Sequence, residues 1–249
     1  MSAQSGRRRG VVTGAGSGIG KAVVRRLLRE GGEVLAVDLR GEAIAEFAGP
    51  QCQVLAADVT DAEARKRIED WADGADWLVN SAGIVMVRPI FEVTVEDWRR
   101  VQTVNAEATF FLCQKIGPRM KPGGAIVNLS SSSAKYATTV EVAAYAASKT
   151  TILSITRSFA YALASRPVRV NAILPGIVDT PMQDAVREGV APMRGISLGE
   201  WDTVRTKSVP LARAASPDEC AGLIWFLLSE ESGYMTGQAI NFTGGLVTW

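Results

Sequence analysis

Tyr145 and Lys149 stand four residues apart in the run Tyr-Ala-Ala-Ser-Lys, within a stretch of helical spacing. Positions i and i+4 share a helix face, so a phenol and an ammonium can converge on one point. Upstream, the apolar strand pattern Ala125-Ile-Val-Asn-Leu runs into Ser130-Ser131-Ser132-Ser133. The chain contains no histidine. A Ser-His-Asp triad and imidazole metal ligation are therefore excluded. Acid/base chemistry near neutral pH must use a residue whose pKa has been moved. A free tyrosine ionises near pH ~10, and bringing it to ~7 takes roughly 4 kcal/mol of phenolate stabilisation. A neighbouring ammonium has the right sign.

A second constellation lies at the start of the chain. Gly10-Val-Val-Thr-Gly-Ala-Gly-Ser-Gly-Ile-Gly20 joins a strand to a helix, with Gly14, Gly18 and Gly20 spaced GxxxGxG. Such a turn lets a pyrophosphate touch the backbone and presents helix N–H groups to it, here from Ser17, Gly18 and Ile19. Asp38 ends the next strand pattern, about 20 residues on, where an acid can bond the adenosine ribose hydroxyls. Its carboxylate would repel a 2′-phosphate, which favours NAD over NADP. Arg40, two residues later, is a cation that could instead help hold a phosphate. Asp58-Val59 closes the third strand pattern, with a carboxylate able to bond an adenine amino group. Asn80-Ser-Ala-Gly83 closes the fourth, where Ala82 and Gly83 let backbone pass close to a cofactor. The positive ring of an oxidised nicotinamide would add to the Lys149 ammonium in favouring a Tyr145 phenolate.

These residues need elements to hold them. Strand patterns cover Gly10–Thr13, Glu33–Val37, Gln53–Ala57, Trp77–Asn80, Ala125–Ser130, Arg169–Leu174 and Ala239–Phe242. Helical spacing covers Gly20–Glu30, Asp61–Ala72, Val95–Ile116, Ala144–Ala164 and Pro217–Leu228, the last opened by a Ser216 cap with Glu219. The alternation predicts an α/β fold, a Rossmann-type doubly wound parallel sheet of about seven strands with helices on both faces. No composition break divides residues 1–249, so a single domain is expected. Residues 180–210 lack a core pattern and read as a long loop serving as a substrate lid.

Together these motifs resemble the short-chain dehydrogenase/reductase family over nearly the whole chain. The resemblance rests on the glycine turn, Asp58, Asn80–Gly83, Asn105, the Ser-Tyr-Lys set, Pro175-Gly176 and Gly237-Gln…Gly244-Gly245. It implies that Tyr145 is proton donor in carbonyl reduction and base in alcohol oxidation. Lys149 would bond the nicotinamide ribose and lower the tyrosine pKa. A serine would bond the substrate oxygen, and Asn105 would hold a water linking Lys149 to solvent. Pro175, Gly176, Val178 and Thr180 would position the nicotinamide, and Asn80 and Gly83 would line the adenosine side. Two departures stand out: Ser81 replaces the family's second asparagine, and the serine spacing is unusual. The strand anchor selects Ser131, whereas the family's common spacing, thirteen residues back from Tyr145, gives Ser132. Loops absorb insertions more readily than strands change register, so Ser131 is preferred. The family also implies a homotetramer through residues 95–116, 144–164 and the last strand.

Composition narrows the function classes. With 47% hydrophobic residues, 21% charged residues and net charge +1, nothing recruits nucleic acid or a membrane surface. No apolar run approaches membrane-spanning length, and Cys52, Cys113 and Cys220 suit buried thiols in a reducing compartment, so a cytoplasmic location and no metal site are expected. The expected activity is NAD-dependent interconversion of a small-molecule secondary alcohol, such as a polyol or sugar, and its ketone. The alternatives are an NADPH-dependent 3-ketoacyl or other carbonyl reductase and a non-catalytic NAD-binding scaffold. An epimerase or dehydratase of the longer nucleotide-sugar branch fits less well, because little chain follows Gly245. The substrate-facing candidates are Ile84, Val85, Val87, Arg88, Ser133, Glu141, Val142, Met182, Val190, Met193 and Trp201.

Overall fold

A computed structural model describes residues 7–137 and 139–249. Seven strands, β1 (Arg9–Thr13), β2 (Glu33–Asp38), β3 (Cys52–Ala56), β4 (Trp77–Asn80), β5 (Ala125–Leu129), β6 (Arg169–Pro175) and β7 (Ala239–Phe242), form one sheet in the order β3-β2-β1-β4-β5-β6-β7. Every pairing is parallel. The helices are α1 (Gly18–Arg29), α2 (Ala62–Trp71), α3 (Val95–Gln102), α4 (Ala108–Ile116), α5 (Ala143–Leu163), α6 (Pro181–Met193), α7 (Leu198–Lys207) and α8 (Pro217–Leu228). This is the doubly wound Rossmann-type arrangement expected from the alternating patterns.

The inner strands β1, β2, β4 and β5 are largely apolar because both faces are covered. Side chains alternate across a strand, so Val11 and Val12 point to opposite layers. Val11, Leu35, Leu78 and Ile126 pack with Ile68 of α2 and Leu112 and Ile116 of α4. Val12, Val34, Val79 and Val127 pack with Val24 and Leu27 of α1 and Ile224 and Leu227 of α8. Each large aliphatic side chain buried this way contributes about 1.5–3 kcal/mol. β2 runs outward from β1 on one side and β4 on the other. Their carboxyl ends therefore diverge and leave the crevice where open α/β sheets take ligands.

Three expectations change. Residues 180–210 are not a loop: they form α6 and α7, packed on each other around Val190, Ala191 and Trp201. Thr180 caps α6 ahead of Pro181, and Ser197 with Glu200 forms a capping box on α7. Those start signals outweigh the interruptions at Gly189, Pro192 and Gly195. The helix over 95–116 is broken by one wide turn, Thr103–Glu107, that carries Asn105; such bulges are frequent at functional sites. β5 stops at Leu129, so Ser130 already belongs to the following turn. Arg8 pairs with Glu230, and Arg9 packs 4.4 Å from the Trp71 ring centroid at the amino ends of the strands. The three cysteines are buried and free, and burial pushes the Cys113 thiol up to about 12.

Candidate active site

The glycine turn after β1 is fitted to its neighbours at backbone level. Gly14 and Gly18 have φ of +66° and +50°, a region that penalises any side chain. A Cβ at Gly14 would lie 2.8 Å from the Ala82 backbone, and one at Gly20 would lie 2.1 Å from the Gly14 carbonyl oxygen. Thr13 Oγ1 accepts from the backbone N–H groups of Ser81 and Ala82, both at 3.2 Å, and ties the ends of β1 and β4 together. The first turn of α1 carries no acidic residue, and the Ser17 side chain makes no capping bond. Its leading N–H groups are thus available to an anion.

Asp38 ends β2 beside this turn. Its carboxylate accepts from the N–H of Gly16 at 2.8 Å and of Arg40 at 3.0 Å. A carboxylate has about four acceptor positions, so capacity for a ligand hydroxyl remains. Asp58 ends the β3 connection, with one oxygen accepting from the N–H and hydroxyl of Thr60. Gly14, Ser17, Gly18, Ile19, Asp38, Asp58, Val59, Ala82 and Gly83 all line one cleft of about 950 Å³. That is near the top of the ~300–1,000 Å³ range of ligand pockets. The shape, the free N–H groups and the strand-end acid fit a dinucleotide.

The same cleft reaches Ser131, Tyr145, Lys149, Pro175, Gly176, Val178 and Thr180. α5 positions two of these, and its register is held by buried polar bonds. Ser130 Oγ donates to the Lys149 carbonyl at 2.7 Å, and Lys149 Nζ donates to the Leu129 carbonyl at 2.7 Å. The ammonium lies 5.6 Å from the Tyr145 ring centroid. Burial lowers the Lys149 pKa to about 8. Burial also raises the Tyr145 phenol above its ordinary value, while a hydrogen bond with the Ser131 hydroxyl pulls the other way. Within the protein the phenol thus lies above its ordinary value, opposite to the downward shift anticipated from the sequence.

The four serines separate by partner. Ser130 serves α5, and Ser131 meets the phenol. Ser131 Oγ also accepts from Ser133 N–H at 3.1 Å, and Ser132 and Ser133 form the tight turn that follows. Asn105 is fully buried. Its Oδ1 accepts from Ile84 N–H at 2.8 Å, and its Nδ2 donates to the Ile84 carbonyl and to Ser148 Oγ, each at 2.9 Å. A Cβ at Gly83 would lie 3.2 Å from Asn105 Oδ1 and 3.4 Å from Lys149 Nζ, so glycine keeps the space between the two.

Several sequence candidates lie off the cleft wall. Asn80 is buried and donates to Asn128 Oδ1 at 2.8 Å across the β4–β5 pair; it braces the sheet instead of lining the adenosine side. Gly20 sits beneath Gly14, and Asn105 stands behind Gly83. Glu141 does not face the cleft with free oxygens: Arg194 grips it in a two-point bond at 2.9 and 2.8 Å. Arg88 pairs with Asp97 at 3.2 Å. Val190 is buried between α6 and α7, and Met193 is exposed. Met182, Val142, Ser133 and Trp201 do line the cleft, joined by Tyr136, Thr139, Val186, Val204, Arg205 and Leu246. Val186, Val204 and Arg205 reach it because α6 and α7 present one face to the cleft, whereas Tyr136, Thr139 and Leu246 come from loops that carry no periodic signal. Among the described residues no cluster of metal-ligating side chains occurs, and no helix is long and apolar enough to cross a membrane.

Known proteins share this geometry and sequence. The family profile described as enoyl-(acyl carrier protein) reductase matches residues 14–247. Galactitol 2-dehydrogenase of Agrobacterium fabrum is 34% identical, over 94% of this chain and 95% of that protein. A 3-oxoacyl-(acyl-carrier-protein) reductase of Thermotoga maritima is 35% identical, over 95% of this chain and 96% of that protein. The crystal structure of a short chain dehydrogenase family protein from Francisella tularensis superposes with a TM-score of 0.88 at 31% identity, covering 97% of this chain and 99% of that one.

Proposed function

The chain belongs to the short-chain dehydrogenase/reductase family, and on that footing we propose that it is an NAD-dependent dehydrogenase oxidising a polyol, sugar or other secondary alcohol to its ketone. Membership makes it an oxidoreductase acting on CH–OH donors with a nicotinamide cofactor. One observation carries the finer reading: Ser131, Tyr145 and Lys149 share a single cleft with the glycine turn and Asp38. When bound, the cofactor accepts or supplies the hydride.

The protein's own groups hold the oxygen and move its proton. The Ser131 hydroxyl bonds the substrate oxygen beside Tyr145. Tyr145 takes the alcohol proton during oxidation and returns it during reduction; general acid/base catalysis of this kind contributes about 10²–10⁴-fold. Lys149 supplies the positive charge that offsets burial of the phenolate, and Asn105, braced on Ile84 and Ser148, holds a water behind it for proton exchange with solvent. Gly14, Ser17, Gly18, Ile19 and Ala82 cradle the pyrophosphate side of NAD, Gly83 the adenosine side, Asp58 and Val59 the adenine, and Pro175, Gly176, Val178 and Thr180 the nicotinamide. Asp38 takes the adenosine ribose hydroxyls and disfavours the 2′-phosphate of NADP.

Similarity to an oxoacyl reductase supports a second reading, NADPH-dependent carbonyl reduction, against which the Asp38 carboxylate stands. Intact Ser131, Tyr145 and Lys149 argue against a non-catalytic scaffold. Exposed Tyr161 and the Phe110–Phe159 contact on α4 and α5 support assembly as a homotetramer through those helices. The buried free thiols suit a reducing cytoplasm.

The test is NADH formation across a panel of polyols, sugars and simple secondary alcohols, beside NADP and a Tyr145→Phe control. Turnover with NAD that the control loses is expected. Inactivity on every alcohol, with turnover of acyl thioesters and NADPH, would replace this reading by the second.

A further inference from the structure

Arg205 lies on α7 and lines the cleft from the lid side. Its guanidinium is part-buried. Nη1 donates to Gln183 Oε1 at 2.8 Å, while Nε is shut off from solvent and has no partner. Among the described residues no carboxylate reaches ion-pair distance of it; Asp179 and Asp184 border a shallow depression shared with it but stay beyond that distance. Its lid neighbours differ: Arg187 pairs with Asp202 at 3.0 Å and Arg194 with Glu141 at 2.8 Å. A partly buried cation without a counter-charge is costly, and a guanidinium fork matches phosphate oxygens well.

The contacts of Arg205 lead back to the glycine turn. Gln183, its partner, donates its backbone N–H to Thr180 Oγ1 at 3.4 Å. Thr180 in turn sits so close to Gly18 that a Cβ there would lie 3.0 Å from its Cγ2. One side chain thus separates Arg205 from the residue that touches the anion-accepting end of α1.

We propose that Arg205 is a cofactor-binding residue whose guanidinium takes pyrophosphate oxygens of the dinucleotide from the lid side, across from the α1 N-terminus. This rests on the dinucleotide reading of the cleft. The bound pyrophosphate then supplies the counter-charge that the lid lacks, so cofactor binding and the placement of α7 are coupled.

Equilibrium titrations test this, with NADH followed by its fluorescence and ADP by its competition with NADH. ADP carries the pyrophosphate but neither nicotinamide nor any substrate group. Arg205→Gln is expected to weaken both ligands by about 10- to 100-fold, the range of one charged hydrogen bond. The ligand-free melting midpoint should stay near that of the wild type. Should Arg205→Gln not fold, Arg205→Lys replaces it, with a several-fold loss expected for both ligands. Unchanged affinities, or a loss confined to NADH, would overturn the assignment while leaving the dinucleotide cleft standing. A wild-type protein that binds neither NADH nor ADP would overturn the cleft reading and Arg205 with it.

Discussion

The Lys149 ammonium donates to the backbone carbonyl of Leu129, the last residue of β5, at 2.7 Å. The bond fixes the cation against the strand from which Ser130 and Ser131 emerge, and it does so with a group that burial holds at about 8 instead of 10.5. Stability should carry this signature. The folded pKa is depressed, so below about pH 8 both folded and unfolded chains bind the proton and the desolvation cost is fully present. Between about 8 and 10.5 only the unfolded chain binds it, and stability rises with pH. The shift corresponds to about 3 kcal/mol. Urea unfolding of wild type and Lys149→Met from pH 7 to 10.5 should therefore show their difference moving in favour of the wild type by up to that amount. A difference that stays flat with pH would mean Lys149 is not desolvated as described.

Ser131 and Ser132 are chemically identical neighbours with different partners. Ser131 meets the Tyr145 phenol, while Ser132 opens the turn. Ser131→Ala is expected to lower kcat roughly 10²–10³-fold, as loss of one donor to a developing oxyanion does. Ser132→Ala should remain within a few-fold of wild type. Steady-state kinetics on the best alcohol of the panel decide, and the reverse pattern would move the role to Ser132.

Asp38 presents its carboxylate at the end of β2 with Arg40 beside it. On the NAD reading, replacing it by Ser removes the acceptor for ribose hydroxyls and the repulsion of a 2′-phosphate together. Asp38→Ser should lower kcat/KM for NAD by about 10- to 100-fold, the worth of a charged hydrogen bond. The same change should raise kcat/KM for NADP. Parallel assays with both cofactors check this, and an unchanged NAD/NADP ratio would remove Asp38 as the selector.

The Arg194–Glu141 bond ties the end of α6 to the turn before α5. Glu141→Gln keeps the shape but removes the charge and leaves one acceptor oxygen in place of two. Partly exposed pairs contribute up to about 1 kcal/mol, so global stability should barely change. Amides of α6 should exchange with solvent up to about fivefold faster, and KM for the alcohol should rise more than kcat falls. Hydrogen exchange that leaves Pro181–Met193 unchanged would show that the lid is held by its apolar core instead.

Local signals announced most of the frame. β1, β2, β4 and β5 are largely apolar runs because they are covered on both faces, and Ser216 with Glu219 opens α8 as its spacing foretold. α6 and α7 were also marked, by Thr180-Pro181 and Ser197…Glu200, but the glycines and proline between them obscured a periodicity that caps alone support.

What the residues determined by themselves was candidate chemistry and local geometry. The chain has no histidine to serve as acid or base; helical spacing sets Lys149 beside Tyr145; φ-permissive glycines mark the turn. The tertiary structure decided which of these groups meet. Ser131 rather than its neighbours reaches Tyr145, Asn80 turns inward to Asn128, and Glu141 is occupied by Arg194, 53 positions away. Partners so distant along the chain leave no periodic trace in it. Their meeting depends on how the strand ends diverge and how α6 and α7 fold back, which only packing of the whole sheet and its helices sets.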